Sequence, residues 1–407
     1  MPAGSTLPTD QPRVAVTGLG AVSAAGLGAD RLWAAVRAGR VLTGPVTRFD
    51  LSRYPTRRAG QVPDDAVPAL DAMVPPHRSR AARYLAAAVR EALADADPPP
   101  EATLGLYVGS VMATRPTLDA GIGPAGLAVP DRCWADPAGL LGPVRAVLGR
   151  PGPVLLLASG CSAGNGAIAA GYRAVLAGEV DVAVCAGVEE LSLEIFAMFT
   201  ALRALAPDVV RPFDADRRGT MPAEGAGVVI LERADRCAAR GVRPRAAVLA
   251  CASAADGHHM TQPHPEGTAL VATLQAVLDD AGVEPDDLDW VCAHGTGTPA
   301  NDGVEARAVL KVLAGRRRPA VSSVKGQLGH AAGAAAALEA VLAVRALADG
   351  VIPGNVTLRR PDPAADGLDL VPAEGRRQPV SLVASPGYGF GGGVTTLLLG
   401  RGDRDGH

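Results

Sequence analysis

A fully apolar run that breaks into small residues around one thiol constrains this chain most. Residues 154–158 are Val-Leu-Leu-Leu-Ala and read as a buried strand. Ser159-Gly160-Cys161-Ser162-Ala163-Gly164 then turns sharply, and residues 167–177 continue as an Ala-rich helix. A thiol at such an elbow faces the unpaired N–H groups and dipole of a helix N-terminus, which favour a thiolate. Two more Gly-rich turns follow apolar strands, His294-Gly295-Thr296-Gly297-Thr298 and Lys325-Gly326-Gln327-Leu328-Gly329-His330. One Cys with two His residues describes a nucleophile flanked by hydrogen-bond donors, a site suited to acyl thioesters.

The same pattern organises the rest of the chain. Strands are expected at residues 14–20, 104–111, 154–158, 180–187 and 228–231, with a helix at 78–94. The pattern restarts with strands at 247–251, 290–293 and 320–324, helices at 267–280 and 303–313, and an Ala-rich helix reaching about 348. A last strand pair, 380–385 and 394–399, brackets Tyr388-Gly389-Phe390-Gly391-Gly392-Gly393. Alternation of this kind predicts an α/β fold with largely parallel, doubly covered sheets. It also reads as one α/β unit used twice, with the site between the copies. The expected parts are a tail at residues 1–12, a first half at 13–245 bearing Cys161 and a second at 246–403 bearing both His residues.

Composition narrows the function classes. With 407 residues, 48% of them hydrophobic, the chain can bury a large core. A net charge of -3 points to no nucleic-acid or anionic-membrane partner. The polar start lacks the apolar core of a signal peptide, and Glu339 and Arg345 mark residues 330–349 as a buried helix rather than a membrane span, so the cytoplasm is expected. Of six cysteines (133, 161, 185, 237, 251, 292), Cys185, Cys251 and Cys292 sit in apolar runs and read as small core residues. The chain has only two lysines, Lys311 and Lys325, so a Lys inside the second His motif marks a place for a compact ammonium. His258, His259 and His264 lack carboxylate support, and no metal is expected there.

These motifs, in this order along nearly the whole chain, resemble those of the β-ketoacyl-[acyl-carrier-protein] synthases, condensing enzymes of the thiolase-like superfamily. The resemblance implies a five-layered αβαβα fold, a dimer with itself or with a paralogue, and acyl carrier protein as partner. The carrier brings the 4'-phosphopantetheine, and no other cofactor is implied. It further implies that Cys161 carries the acyl group while His294 and His330 hydrogen-bond the malonyl thioester. The N–H groups of Cys161 and Phe390 would form an oxyanion hole, with Phe390 as a gate. Lys325 and Glu339 resemble a buried ion pair that holds His330. Thr296 and Thr298 match pantetheine-binding positions, and Thr261 a pocket-wall segment. Phe199 and Met112 would form the floor of the acyl tunnel, with Met198 adding bulk, which implies short or medium acyl groups.

The chain also departs from the family. Arg211-Pro212-Phe213-Asp214 is followed by Arg217-Arg218-Gly219-Thr220, where Arg-Asp-Gly-Phe is usual. Residues 195–199 are bulkier than the Gly-rich version of fatty-acid elongators. Both differences favour a type II polyketide or related pathway over housekeeping synthesis. Two alternatives remain open on sequence: a non-catalytic chain-length-factor-like subunit, which Cys161 opposes, and a non-decarboxylating acyltransferase of the same fold.

Overall fold

The computed structural model describes residues 14–116, 122–123, 126–127, 137–149, 152–313 and 317–402. The expected tail and Cys133 lie outside them. Ten principal strands build one mixed sheet. The first five are β1 (Val14–Ser23), β2 (Leu104–Gly109), β3 (Val154–Leu157), β4 (Val182–Glu189) and β5 (Gly225–Arg233). The second five are β6 (Ala246–Ala255), β7 (Trp290–Cys292), β8 (Ala320–Ser322), β9 (Leu382–Tyr388) and β10 (Gly393–Gly400).

Their spatial order is β3-β2-β4-β5-β1-β6-β10-β9-β7-β8. Counted within each half, both run third, second, fourth, fifth, first, and the halves join where β1 pairs antiparallel with β6. The repeated order is the internal duplication expected from the strand-turn-helix pattern. The expectation of largely parallel sheets is corrected. Only the three outer principal strands of each half run parallel, and every pairing through β1, β5, β6 and β10 is antiparallel.

Six helices matter for the site: α1 (Arg80–Ala96), α2 (Ala163–Leu176), α3 (Leu193–Ala201), α4 (Thr268–Ala281), α5 (Pro299–Val312) and α6 (Ala335–Asp349). Helices α2 and α6 pack on each other and touch strands of both halves, so they form a central layer. Helix α1 covers the first half from outside, and α4, backed by α5, covers the second. This gives the five layers. Because α2 and α6 meet solvent only near their C-terminal ends, their sequences are mostly small and apolar, and even Glu339 on α6 is buried.

Strand β3 is not buried as its composition predicts. It lies at the sheet edge, with Val154 and Leu155 each 43% exposed. Cys185, Cys237 and Cys292 are core residues and Cys251 is half-buried, and all are free thiols. Among the described residues, no helix is long and apolar enough to cross a membrane.

Candidate active site

Cys161 sits in the single 3-10 turn Gly160–Ser162 that joins β3 to α2. Gly160 has φ 67, and a Cβ there would lie 2.8 Å from the Phe390 carbonyl oxygen, so only glycine fits. The Asn165 amide, one turn into α2, donates to the carbonyls of Ser385 at 2.9 Å and Thr395 at 3.1 Å. That clamp holds the β9–β10 hairpin, and with it Phe390, against the thiol. Burial pushes the Cys161 thiol up to about 12, and the Glu189 carboxylate adds to it. The Lys325 ammonium and the Phe390 N–H pull the other way without prevailing. The thiolate expected from the helix N-terminus is therefore corrected: burial dominates, and the resting group is a thiol.

The two imidazoles arrive from the second half. His294 and Gly295 donate their backbone N–H groups, each at 2.7 Å, to the buried Glu305 of α5. Asn301, one turn earlier on the same helix face, donates to Glu305 at 3.0 Å. Asp302 takes the N–H of Gly297 at 3.1 Å and that of Phe213 at 2.8 Å. Thr298 caps α5 by accepting from Asn301 N–H at 3.2 Å, so the His294 turn is the stop of β7 and the start of α5 at once. Burial, reinforced by Asp302, raises Glu305 to about 7 despite the N–H groups it accepts.

His330 follows the one-turn helix Lys325–Leu328 and donates its backbone N–H to Met221 O at 2.7 Å. The two imidazole centroids lie 5.3 Å apart, with planes at 88°. Burial first, then Lys325, holds both His pKa values well below the usual histidine range. Both rings are neutral at pH 7.

Lys325 decides how His294 is protonated. Its Nζ pairs with Glu339 Oε1 and lies 3.4 Å from His294 Nδ1. An ammonium only donates, so Nδ1 accepts, and the ring proton sits on Nε2. The expectation that this pair holds His330 is corrected. It holds His294, while His330 Nδ1 is buried without a hydrogen-bond partner among the described residues.

Cys161 and both imidazoles face one cavity of about 200 Å³, while Lys325 and Glu339 lie behind its wall. Cys161, His294, His330, Thr296, Thr298, Thr261, Phe199 and Phe390 are in its wall. The Thr296 and Thr298 hydroxyls are 2.9 Å apart. His259 Nδ1 accepts the Thr261 N–H at 3.1 Å and so fixes Thr261 at the wall. Phe199, on α3, meets the Phe390 ring at 6.1 Å, which closes the cavity on that side. Met112 and Met198 are not in the wall, and their expected pocket role is corrected. They pack behind it, in the apolar cluster that holds Cys161, Phe196 and Phe199. Among the described residues, no group of three or more His, Cys, Asp or Glu could hold a metal ion.

Sequence reasoning missed two residues that build this site. Glu305 lies four positions after Asn301, the spacing of one helix face. Glu189 ends β4 fully buried and accepts from Ser110 Oγ at 2.8 Å and from the N–H groups of Val111, Met112 and Gly333, each at 2.9 Å. Its only signal was position, a carboxylate directly after the apolar run at 182–188. Arg217, which keeps the usual Arg of that segment, pairs with Asp362 and donates to the Thr298 carbonyl at 3.0 Å.

Comparison with known proteins agrees with the fold. Residues 11–236 match the family model described as beta-ketoacyl synthase, N-terminal domain, and residues 245–359 match the corresponding C-terminal domain. The chain is 33% identical to a 3-oxoacyl-[acyl-carrier-protein] synthase 2 of Synechocystis, covering 96% of this chain and 98% of that one. It is 32% identical to the actinorhodin polyketide putative beta-ketoacyl synthase 1 of Streptomyces coelicolor, over 95% and 88% of the two chains. The solved ishigamide ketosynthase/chain length factor superposes with a TM-score of 0.85 at 32% identity, over 96% and 99%. The chain belongs to the β-ketoacyl synthase family, the acyltransferase-class condensing enzymes.

Proposed function

We propose that this enzyme joins an acyl group held on Cys161 to a malonyl unit by decarboxylative Claisen condensation, with both substrates on acyl carrier protein. The observation that carries this reading is one buried thiol facing two neutral imidazoles across one cavity. In the first step Cys161 Sγ bonds to the acyl carbon and the pantetheine sulfur leaves. A thiol at about 12 gives up its proton only as that bond forms, and a neutral imidazole beside it can take the proton and return it to the leaving sulfur.

In the second step the malonyl Cα–carboxyl bond breaks and CO2 departs. Its electron pair moves into the thioester as an enolate. His294, with its proton on Nε2, and His330 donate to that oxygen as charge develops. The enolate carbon then attacks the Cys161 thioester. The N–H groups of Cys161 and Phe390 receive the new oxyanion, and Cys161 leaves. Thr296, Thr298 and Thr261 line the path of the pantetheine arm, and Phe199 limits the acyl end to short or medium chains.

The exposed edge of β3 supports a dimer, with this chain or a paralogue adding a strand. A relative solved as a ketosynthase/chain length factor supports the paired arrangement. We place the reaction in a type II polyketide-like pathway in the cytoplasm. The bulky Phe196 and Phe199 and the free thiols support that placement.

The test is a pair of variants. Cys161→Ala and Cys161→Gln should both abolish acyl-enzyme formation, while Cys161→Gln still releases CO2 from malonyl carrier protein through the intact His pair. Condensation at the wild-type rate by Cys161→Ala would overturn the mechanism.

A further inference from the structure

Thr220 is placed between the two imidazole turns by its neighbours. Gly219 donates its N–H to Gly297 O in the His294 turn at 2.9 Å, and Met221 O accepts the His330 N–H at 2.7 Å. Thr220 itself is pinned on both sides, its N–H on Ala204 O and its carbonyl receiving Ala206 N–H, each at 2.7 Å. Thr220 is a residue of the catalytic cavity's wall and is 1% exposed. Its Oγ1 has no hydrogen-bond partner among the described residues. A buried hydroxyl left unpaired costs stability, so one in a substrate cavity marks a place where the substrate supplies the partner.

We infer that Thr220 Oγ1 donates to the free carboxylate of the extender unit, making Thr220 a substrate-positioning and specificity-determining residue of this site. The inference rests on the condensation proposed above. Of the extender unit's groups, the thioester oxygen is taken by the two imidazoles, which leaves the carboxylate as its one charged acceptor. An ionised carboxylate brought beside a buried wall without a donor is strongly disfavoured. When the Cα–carboxyl bond breaks, its electron pair moves to the thioester and the carboxylate leaves as neutral CO2. Thr220 keeps its own proton throughout. Its hydrogen bond is therefore strongest before reaction and weakens as charge moves away, so it contributes to binding rather than to the chemical step.

That timing gives the variant a kinetic signature. In Thr220→Val, which keeps the shape, KM for malonyl carrier protein should rise about tenfold or more, the worth of a hydrogen bond to a charged group. The turnover number should stay level or rise. Thr220→Ser, which keeps the hydroxyl, should stay within about threefold of wild type. Inhibition by acetyl carrier protein, which lacks the carboxylate, should change less than about threefold in both. These are measured as CO2 release and β-ketoacyl product, with melting temperatures alongside. A Thr220→Val enzyme with unchanged KM, or with a lowered turnover number at wild-type KM, overturns the inference while leaving the condensation reading intact. Equal weakening of malonyl and acetyl carriers overturns it too. A wild type that releases no CO2 from malonyl carrier protein overturns both.

Discussion

Removing the Lys325 ammonium tests how the site is held together. Lys325 and Glu339 are each 1% exposed, and Glu339 Oε2 already has no partner among the described residues. Lys325→Ala therefore leaves a buried carboxylate with no cation at all. Breaking such a pair costs about 3–5 kcal/mol. Unfolding entropy of about 2.1 cal/mol/K per residue gives roughly 0.85 kcal/mol/K for a 407-residue chain, so melting should fall by about 4–6 °C. The pH dependence has a defined sign. Burial already raises the Glu339 pKa, and losing Lys325 raises it further. A carboxyl that binds its proton more tightly when folded loses stability as pH rises from its unfolded to its folded value, so the defect should shrink between pH 8 and pH 5. Glu339→Gln in the same chain removes the charge and should recover most of the loss. Activity should stay low, because His294 Nδ1 still lacks its donor. Differential scanning fluorimetry across pH, with CO2 release at pH 7, reads all three. Unchanged melting in Lys325→Ala, or a double variant no more stable than the single, would refute the reasoning.

Iodoacetamide alkylation of Cys161, followed by mass, should accelerate steadily from pH 7 to pH 9 without a plateau, since the thiol titrates near 12; a plateau near neutrality contradicts burial as the dominant influence. Malonyl decarboxylation by Cys161→Gln should be flat from pH 6 to pH 8, because both imidazoles titrate well below 6.5, and an inflection inside that range would show otherwise. Glu189→Gln cannot accept from all four of its donors and should lose about 1–3 kcal/mol, measured by denaturant melts. Its Cys161 should alkylate faster, since the carboxylate raises the thiol pKa. Phe199→Ala opens the wall opposite Phe390 and should shift competitive loading from C6 towards C16 acyl carriers, whereas Met112→Ala, behind the wall, should shift it less.

The duplicated strand-turn-helix unit was legible because each copy ends an apolar run in glycine and restarts in alanine. Periodicity sees one element at a time. It therefore gave the strands without showing that β1 and β6 fuse the halves into one sheet, or that β3 lies at the edge. The same limit misassigned Lys325. It is five residues from His330, yet the one-turn helix Lys325–Leu328 reverses the chain and carries its side chain to His294, 31 residues away. Glu189 and Glu305 were missed because a lone carboxylate in sequence looks solvated. Only the fold reveals the backbone N–H groups that surround it. Cys161 was found, but its charge state was not, since the helix dipole is visible in sequence and desolvation is not.

The central claim is that acyl transfer to Cys161 and loss of CO2 belong to one reaction. Wild-type enzyme loaded with an acyl group from carrier protein, then mixed with malonyl carrier protein, should lose the Cys161 adduct as CO2 and a β-ketoacyl product appear in one-to-one-to-one amounts by intact mass and gas trapping. An adduct that persists, or that moves to an oxygen or nitrogen acceptor without CO2, would contradict the account.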